Sequence, residues 1–242
     1  MPTLLPAELK LWQSVESTIK KILSNYAFQE IRTPLLERTE LFKRTIGEQT
    51  DVVSKEMYSF LDRKEQSLTL RPEATAGVVR AGIEHGLFHN QTQKFWSIGP
   101  MYRYERPQKG RYRQFHQVNM EAFGYEGPGI DAELILLTSR IWRKLGVDGI
   151  QLELNSLGTA ESRKTYRSIL VEYFNDHIES LDEDSILRLE KNPMRILDSK
   201  NPEMSDVIHS APKMNDHLDQ ESAIHFNRLL EHLDAHDIQY VL

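Results

Sequence analysis

Polar and charged side chains alternate along two predicted strands near the middle of the chain. In a strand, alternate residues share a face. By this rule Arg103 and Glu105 share a face at the end of the first strand, Phe95 to Glu105. The second strand, over residues 115–123, has a polar face formed by Phe115, Gln117, Asn119 and Glu121. An arginine and carboxylates on a buried sheet need partners, which a polar ligand could supply.

The loop between these strands is cationic. Its eight residues, 106–113, include four basic side chains, Arg106, Lys109, Arg111 and Arg113. Arginine can bridge two phosphate oxygens with its planar guanidinium, and lysine adds a point charge. Phe115, at the end of the loop, offers a flat surface to a purine base. The hairpin is therefore typical of a polyphosphate site. The alternative is a solvated hairpin, because exposed polar faces are common in antiparallel sheets.

A second candidate segment runs from Leu70 to Gly77, where a predicted strand ends and a predicted helix begins. Glu73 could contact a substrate ammonium group, and Thr75 could bond to the same ligand or to the helix start. The alternative is a threonine N-cap preceded by a turn. Taken by itself, the segment favours the cap.

The elements that must position these residues are predicted from periodicity. Apolar residues at three- and four-residue steps after Pro6 predict a first helix that reaches Tyr26. Residues 28–37 are typical of a strand, which Pro34 confines to an edge or an irregular position. Further elements are a strand over Ser67–Leu70, helices over Thr75–Glu84 and Asp131–Leu145, and a strand over Gly149–Leu154. Beyond Gly158 the pattern is helical.

Composition excludes several classes of protein. The 242 residues, 39% hydrophobic and 27% charged, suit one large domain or a domain with a smaller appendage. The absence of cysteine excludes disulfides and thiolate metal sites. The sequence has no long apolar segment and no signal peptide, which predicts a cytoplasmic protein without a membrane segment.

The net charge of −6 is unevenly spread. Residues 1–160 carry 21 Lys and Arg against 19 Asp and Glu, whereas residues 161–242 carry 9 against 17. A broadly basic nucleic-acid-binding surface is not indicated, and any such contact must use local basic clusters.

Together these residues resemble the class II aminoacyl-tRNA synthetases, and within that class the histidyl-tRNA synthetases. Residues 102–115 are similar to the second motif of the class, and residues 28–37 resemble its first motif, which forms the dimer interface. The histidine-specific likeness rests on Leu68–Glu73, Arg106–Gln117 and Leu154–Gly158. It runs from about Leu5 to Leu242.

The resemblance implies an α+β fold, in which a class II antiparallel sheet is flanked by helices and followed by a helical insertion. It implies ATP-dependent activation of histidine, transfer to tRNA(His), Mg²⁺ on the ATP phosphates and a homodimer. On the ATP side it implies that Arg103, the catalytic residue, contacts the α-phosphate and that Glu105 contacts adenine. Arg111 would hold the distal phosphates, and Phe115 would stack on the base.

On the histidine side the resemblance implies that Glu73, Thr75 and Gln117 hold the α-amino group. Glu121 would accept a hydrogen bond from the imidazole ring. Ala74 departs from the family, which usually has glycine at this position. Its effect is not predicted by the sequence.

The resemblance also divides the chain into regions. Residues 1–160 are predicted as part of the catalytic core, 161–231 as a helical insertion near the tRNA acceptor arm, and 232–242 as a return to the catalytic sheet. The family's second catalytic arginine, third motif and anticodon-binding domain have no counterpart in this sequence. We therefore expect the chain to bind histidine or ATP weakly, without appreciable turnover, and the acidic insertion to contact tRNA weakly at best.

Two other functions suit the same pattern. One is a non-catalytic, histidine-sensing paralogue that acts as a regulatory subunit, against which the four-cation loop argues. The other is a purely structural dimerisation fragment. His232 and His236 lie four residues apart, a spacing that can ligate zinc. No third ligand motif accompanies them, so no protein-bound metal is predicted.

Overall fold

The computed structural model describes residues 3–47, 50, 52–106 and 108–242. Pro107, part of the cationic loop, lies outside the described residues. The chain forms two compact units, one of Met1–Glu126 with Glu133–Asp148 and one of Gly127–Ala132 with Gly149–Leu242. The regions predicted from the sequence, 1–160, 161–231 and 232–242, stay predictions.

The first unit is a mixture of helices and short sheets, as predicted. Its elements are α1 (Pro6–Asn25), β1 (Gln29–Glu30), β2 (Leu36–Arg38), α2 (Thr39–Ile46), a π-helical turn (Val52–Glu56), β3 (Tyr58–Leu61), β4 (Ser67–Leu70), α3 (Thr75–Glu84), β5 (Gln93–Tyr102), β6 (Gln114–Phe123) and α4 (Gly129–Leu145). The first turn of α4 is counted with the second unit.

The helix α1 begins and ends where its sequence signals predict. Pro6 occupies the first turn, where its missing N–H is not needed. The carboxylate of Glu8 accepts a hydrogen bond from the backbone N–H of Leu5 at 3.0 Å, which satisfies a donor at the helix start. The apolar stripe then buries Ile19, Ile22 and Leu23.

The first sheet has the strand order β1-β5-β6. β5 and β6 form a long antiparallel hairpin, from the pair Gln93 and Phe123 to the pair Tyr102 and Gln114. One face of this hairpin is apolar and packs on α1 and α4. The packed residues include Ile22, Leu23, Trp96, Ile98, Val118, Met120, Leu137 and Ile141. The opposite face therefore carries the polar residues of β6.

The second sheet has the order β2-β4-β3 and is antiparallel. The hydroxyl of Thr69 in its central strand is fully buried and lies 2.8 Å from the hydroxyl of Thr39 and 2.7 Å from that of Ser59. These bonds tie the start of α2 to the sheet. β4 leads directly into the segment 71–74 and α3.

Two predicted strands differ in the structure. Residues 28–37 form two short strands, because β1 pairs with β5 and β2 pairs with β4, with an irregular stretch around Pro34 between them. Gly149–Leu154, predicted as a strand, has only one bridge, between Glu153 and Val241. That prediction is wrong, since an extended segment needs a ladder of partners to become a strand.

The second unit is mainly helical. Its elements after α4 are α5 (Ala160–Asp176), α6 (Glu183–Lys191), α7 (Ser205–His209), α8 (Gln220–Asp234) and 3₁₀ turns over Ile178–Ser180, Pro193–Ile196, Pro202–Met204 and Met214–His217. Its core contains Leu170, Phe174, Ile196 and Met204, all with no exposed surface.

One carboxylate joins two helix starts of the second unit. Asp219 caps α8 by accepting from the backbone N–H of Ser222 at 2.9 Å. Its other oxygen accepts from the hydroxyls of Thr159 at 2.9 Å and Ser162 at 2.6 Å, at the start of α5. Hydrogen bonds from Ser162 and Ser222 lower the pKa of Asp219 far below its usual value.

The helices of the described residues include none that is both long and apolar enough to cross a membrane.

Candidate functional site

The start of α3 is capped by a carboxylate. Oε2 of Glu73 accepts from the backbone N–H of Thr75 at 2.5 Å, and Oε1 accepts from that of Ala76 at 3.0 Å. The N-cap residue is Ala74, and Thr75 is the first residue of the helix. The threonine-cap interpretation is therefore wrong, because Glu73 satisfies the free N–H groups and releases the hydroxyl of Thr75. Ala74 has φ −101°, which needs no glycine.

The hydroxyl of Thr75 reaches the polar face of β6. It donates to Oε1 of Glu121 at 2.5 Å, and Nδ2 of Asn119 donates to the same oxygen at 3.1 Å. Three of the four residues predicted for histidine, Glu73, Thr75 and Glu121, thus lie together at one end of β6. The carboxylate of Glu121 is oriented by two donors on one oxygen.

Polar oxygens on this face are buried without protein partners. Oε1 of Gln117, the fourth predicted histidine residue, and Oγ of Ser97 have no hydrogen-bond partner among the described residues. Ser97 and Asn119 are 3% and 9% exposed, and they are directly paired across β5 and β6. The solvated-hairpin interpretation does not describe this face, because its centre is removed from water.

Ser97 was missed by the sequence interpretation. A single serine between apolar residues of β5 carries no motif. Its register opposite Asn119 is what places its hydroxyl among the site residues. The signal that could have found it is the alternation itself: counting back from Met101 puts Gly99 and Ser97 on the same face.

A buried arginine lies beside this face. The side chain of Arg71 donates to the carbonyl of Pro100 at 3.1 Å, and to the carbonyl and hydroxyl of Thr33 at 3.0 and 3.1 Å. A methyl group placed on Gly99 would lie 2.5 Å from Nη2 of Arg71. Burial lowers the pKa of Arg71, and the nearby Tyr102 partly offsets that effect. Gly99 is thus small because the guanidinium needs its space.

Arg103 and Phe115 lie together at the other end of the hairpin. Nε of Arg103 donates to the carbonyl of Pro72 at 2.9 Å, which links Arg103 to the residue before Glu73. Its guanidinium carbon lies 5.3 Å from the centre of the Phe115 ring. A cation and an aromatic face are therefore adjacent where the cationic loop begins and ends.

Arg103 and Glu105 do not lie in a regular strand. β5 ends at Tyr102, and the N–H of Glu105 bonds to the carbonyl of Arg103 at 2.9 Å. The N–H of Tyr104 bonds instead to Glu56 at 2.7 Å. This tight bend replaces the predicted alternation, so the prediction that the two share a strand face is wrong. The chain turns away from the sheet because Tyr104 pairs with another segment.

Glu105 nevertheless meets the loop. Its Oε2 lies 3.4 Å from Nη1 of Arg111, and its backbone carbonyl accepts from Nε of Arg113 at 3.3 Å. The Arg111 side chain is 66% exposed, so this ion pair contributes little to stability. An exposed guanidinium with a weak partner is free to exchange it for a phosphate.

The histidines after residue 160 form no recognisable metal site. Nδ1 of His236 lies 2.8 Å from the carbonyl oxygen of His232, within their own helical turn. Within the ranges that the structure describes, no group of three or more possible ligands could hold a metal ion.

The geometry therefore has two ends. One end, formed by Glu73, Thr75, Asn119 and Glu121, offers carboxylates that can hold a cationic or N–H-bearing small molecule. The other end, formed by Arg103, Glu105, Arg111 and Phe115, offers cations beside an aromatic ring. Gln117 and Ser97 lie on the floor between these ends.

Known proteins match this chain closely. The family model described as histidyl-tRNA synthetase matches residues 1–170. Apo S. aureus histidyl-tRNA synthetase matches with 36% identity and a TM-score of 0.76, over 100% of this chain and 55% of that chain. This chain thus spans about half the length of that relative.

Two more distant structures share the fold. An ATP phosphoribosyltransferase regulatory subunit/histidyl-tRNA synthetase from Bacillus halodurans C is 18% identical, with a TM-score of 0.67, over 98% of this chain and 64% of that chain. A histidine–tRNA ligase subunit from Alicyclobacillus acidocaldarius subsp. acidocaldarius DSM 446 is 16% identical, with a TM-score of 0.61, over 99% and 76%. The family model and the S. aureus match establish that the chain belongs to the histidyl-tRNA synthetase family.

Proposed function

We propose that this chain provides the histidine- and ATP-binding surface of a histidine–tRNA ligase. The observation that carries the proposal is the cluster of Glu73, Thr75 and Glu121 on the same face as the unpartnered oxygens of Ser97 and Gln117. Burying polar groups without partners is unfavourable unless a ligand completes their hydrogen bonds. A small polar ligand such as histidine would do so.

Histidine would lie along β6. Its ammonium group would be held by Glu73 and Gln117. Each oxygen of Glu73 already accepts one helix N–H, and each has a further lone pair for the ligand. Oε1 of Glu121 is taken by Thr75 and Asn119, which leaves Oε2 for an imidazole N–H. The carboxylate of histidine would then point along β6 towards Arg103.

ATP would bind at the other end of the hairpin, bringing Mg²⁺ on its phosphates. Adenine would stack on Phe115 and contact Glu105, and Arg111 would hold the distal phosphates. The histidine carboxylate attacks the α-phosphorus, the bond to the bridging oxygen breaks, and pyrophosphate leaves. Arg103 would stabilise the charge that grows on the α-phosphate oxygens. Positioning and charge stabilisation supply most of the rate enhancement in such a reaction.

The aminoacyl group would pass from the adenylate to tRNA(His), which makes tRNA the third substrate. We also propose a homodimer, located in the cytoplasm. Leu36 and Phe60 support the dimer, because they are 42% and 47% exposed and share one face of the second sheet. Exposed apolar residues grouped on a sheet are typical of an interface.

Isothermal titration with histidine and with Mg·ATP, each alone and then together, tests the function. We expect binding of both, because each end of the site is formed by this chain. Histidine binding without ATP binding would favour a histidine-sensing regulatory paralogue. Binding of neither ligand would contradict the proposal and leave the dimerisation fragment. Phenylalanine, which has no ring N–H, is the matched control ligand for Glu121.

A further inference from the structure

Ser97 has no role in the binding scheme described above. It lies in the middle of β5, its side chain is 3% exposed, and Oγ has no hydrogen-bond partner among the described residues. A buried hydroxyl without a partner destabilises a protein in its ligand-free state. Such an atom is a sign of a missing partner rather than of packing.

The register places Ser97 between the two groups that would hold histidine. Residues paired across an antiparallel hairpin share a face, so Ser97 points to the same side as its partner Asn119. The pair of Gly99 and Gln117 lies on one side of it, and the pair of Phe95 and Glu121 on the other. At about 3.4 Å per residue, Ser97 is two residues, about 7 Å, from each neighbouring pair.

The surroundings of Ser97 leave one hydrogen-bonding need unmet. A neutral imidazole has one N–H donor and one nitrogen that accepts. Glu121 as a carboxylate can only accept, so it can serve only the N–H. The nearby donors of Thr75 and Asn119 are both directed to Oε1 of Glu121. Oε1 of Gln117 is an acceptor and cannot serve the second nitrogen.

We propose that Ser97 is a further ligand-binding residue, whose hydroxyl donates to the unprotonated ring nitrogen of bound histidine. The inference rests on the proposed function, since it needs histidine in this site. It adds a donor to the acceptor of Glu121, so that the pair reads both nitrogens of the ring. A ligand with only one of the two nitrogens is then bound less well.

The test is Ser97→Ala, titrated calorimetrically with histidine and with the two pyrrolylalanine isomers. Each isomer keeps one ring N–H and replaces the accepting nitrogen with carbon. We expect about a three- to tenfold loss of affinity for histidine, the usual effect of one neutral hydrogen bond. For the isomer that binds to the wild-type chain, we expect no loss. Ligand-free Ser97→Ala should melt at the same temperature as the wild type or higher, because it removes an unpartnered hydroxyl.

The control is Ser185→Ala, which removes a fully buried hydroxyl in the second unit, 3.6 Å from the sulfur of Met204. It should leave histidine affinity unchanged. Unchanged affinity of Ser97→Ala for histidine, while the wild type binds it, would overturn this inference alone. So would an equal loss for histidine and for pyrrolylalanine, or a lower melting temperature, since either means a structural role. A wild-type chain that binds no histidine would overturn the proposed function and this inference together.

Discussion

The hydroxyl of Thr75, in the first turn of α3, donates to Oε1 of Glu121 in β6, with 2.5 Å between the oxygens. The two residues are 46 positions apart. The contact exists because Glu73 caps the helix and leaves the threonine hydroxyl free to point at the sheet. It ties the helix start to the strand, so the two ends of an amino-acid ligand would be held by one connected network.

Glu121→Gln should weaken histidine binding and leave ATP binding unchanged. The amide cannot give the ring N–H a charged acceptor, and its NH₂ group conflicts with the donors of Thr75 and Asn119. Hydrogen bonds to charged groups contribute about 1.5–3 kcal/mol, so we expect roughly a ten- to hundredfold loss. Isothermal titration measures both ligands. Glu133→Gln, whose carboxylate pairs with Lys94 at 2.5 Å, is the control. Full histidine affinity in Glu121→Gln would remove Glu121 from the site.

Arg103→Ala should weaken ATP binding more than histidine binding. Arg103 lies beside Phe115 and at the root of the cationic loop, and its Nε is fixed by the carbonyl of Pro72. Loss of a charge-assisted contact predicts about 1.5–3 kcal/mol in ATP affinity. Arg103→Lys should recover only part of it, because lysine cannot bond to Pro72 and a phosphate in the same way. An equal loss for both ligands would indicate that Arg103 is a structural residue.

Local signals predicted the helices and long strands of the first unit well. The first helix has Pro6 at its start, and Gly86 follows the predicted end of α3 with φ +65°, so these boundaries follow from the chain's own chemistry. The polar and apolar faces of β6 follow from strict alternation, which burial on one side enforces. These features depend on near neighbours, which a sequence displays.

Features that depend on distant partners were not predictable in the same way. The bend at Arg103–Glu105 arises because Tyr104 bonds to Glu56. The cap by Glu73 became visible only with the position of Glu121, and Ser97 acquired its significance only from its register with Asn119. Gly149–Leu154 has strand-like residues but a single bridge to Val241, so composition alone predicted too much.

Gly99→Ala should destabilise the first unit. The added methyl would lie 2.5 Å from Nη2 of Arg71, whose bonds to Pro100 and Thr33 would have to shift. Overpacking of this kind costs about 1–3 kcal/mol. Gly129→Ala is the matched control, because a methyl there meets nothing within 4 Å. Urea unfolding followed by tryptophan fluorescence compares the two, and equal midpoints would contradict the tight contact.

Phe60→Glu should convert the proposed dimer into a monomer. Phe60 is 47% exposed on β3 and shares a face with Leu36, so a charge there would be buried unpaired in an interface formed by this face. Light scattering at several concentrations measures the mass against the 28.2 kDa of one chain. Leu187→Glu, at a leucine that is 61% exposed in the second unit, controls for the general effect of a surface charge. A wild-type monomer at all concentrations would contradict the dimer.

Asp219→Asn should loosen the second unit near neutral pH, with an effect that fades in acid. Asp219 accepts from Thr159, Ser162 and Ser222, and these bonds hold its pKa far below its usual value. A carboxyl with a lowered pKa in the folded state stabilises that state fully above its unfolded pKa of about 3.9, and the stabilisation declines as pH falls below that value. Wild type and Asp219→Asn should therefore differ most above about pH 5 and converge as the pH falls below about 4.

Hydrogen exchange at the first turns of α5 and α8, measured by mass spectrometry across this pH range, follows the effect where it arises. Asp219→Asn should expose both turns to faster exchange, because one carboxylate caps α8 and also binds Thr159 and Ser162 at the start of α5. Asp216→Asn, at an exposed aspartate three residues earlier, should change neither turn. Faster exchange in α8 alone would mean that Asp219 is an ordinary N-cap and that α5 begins independently of it.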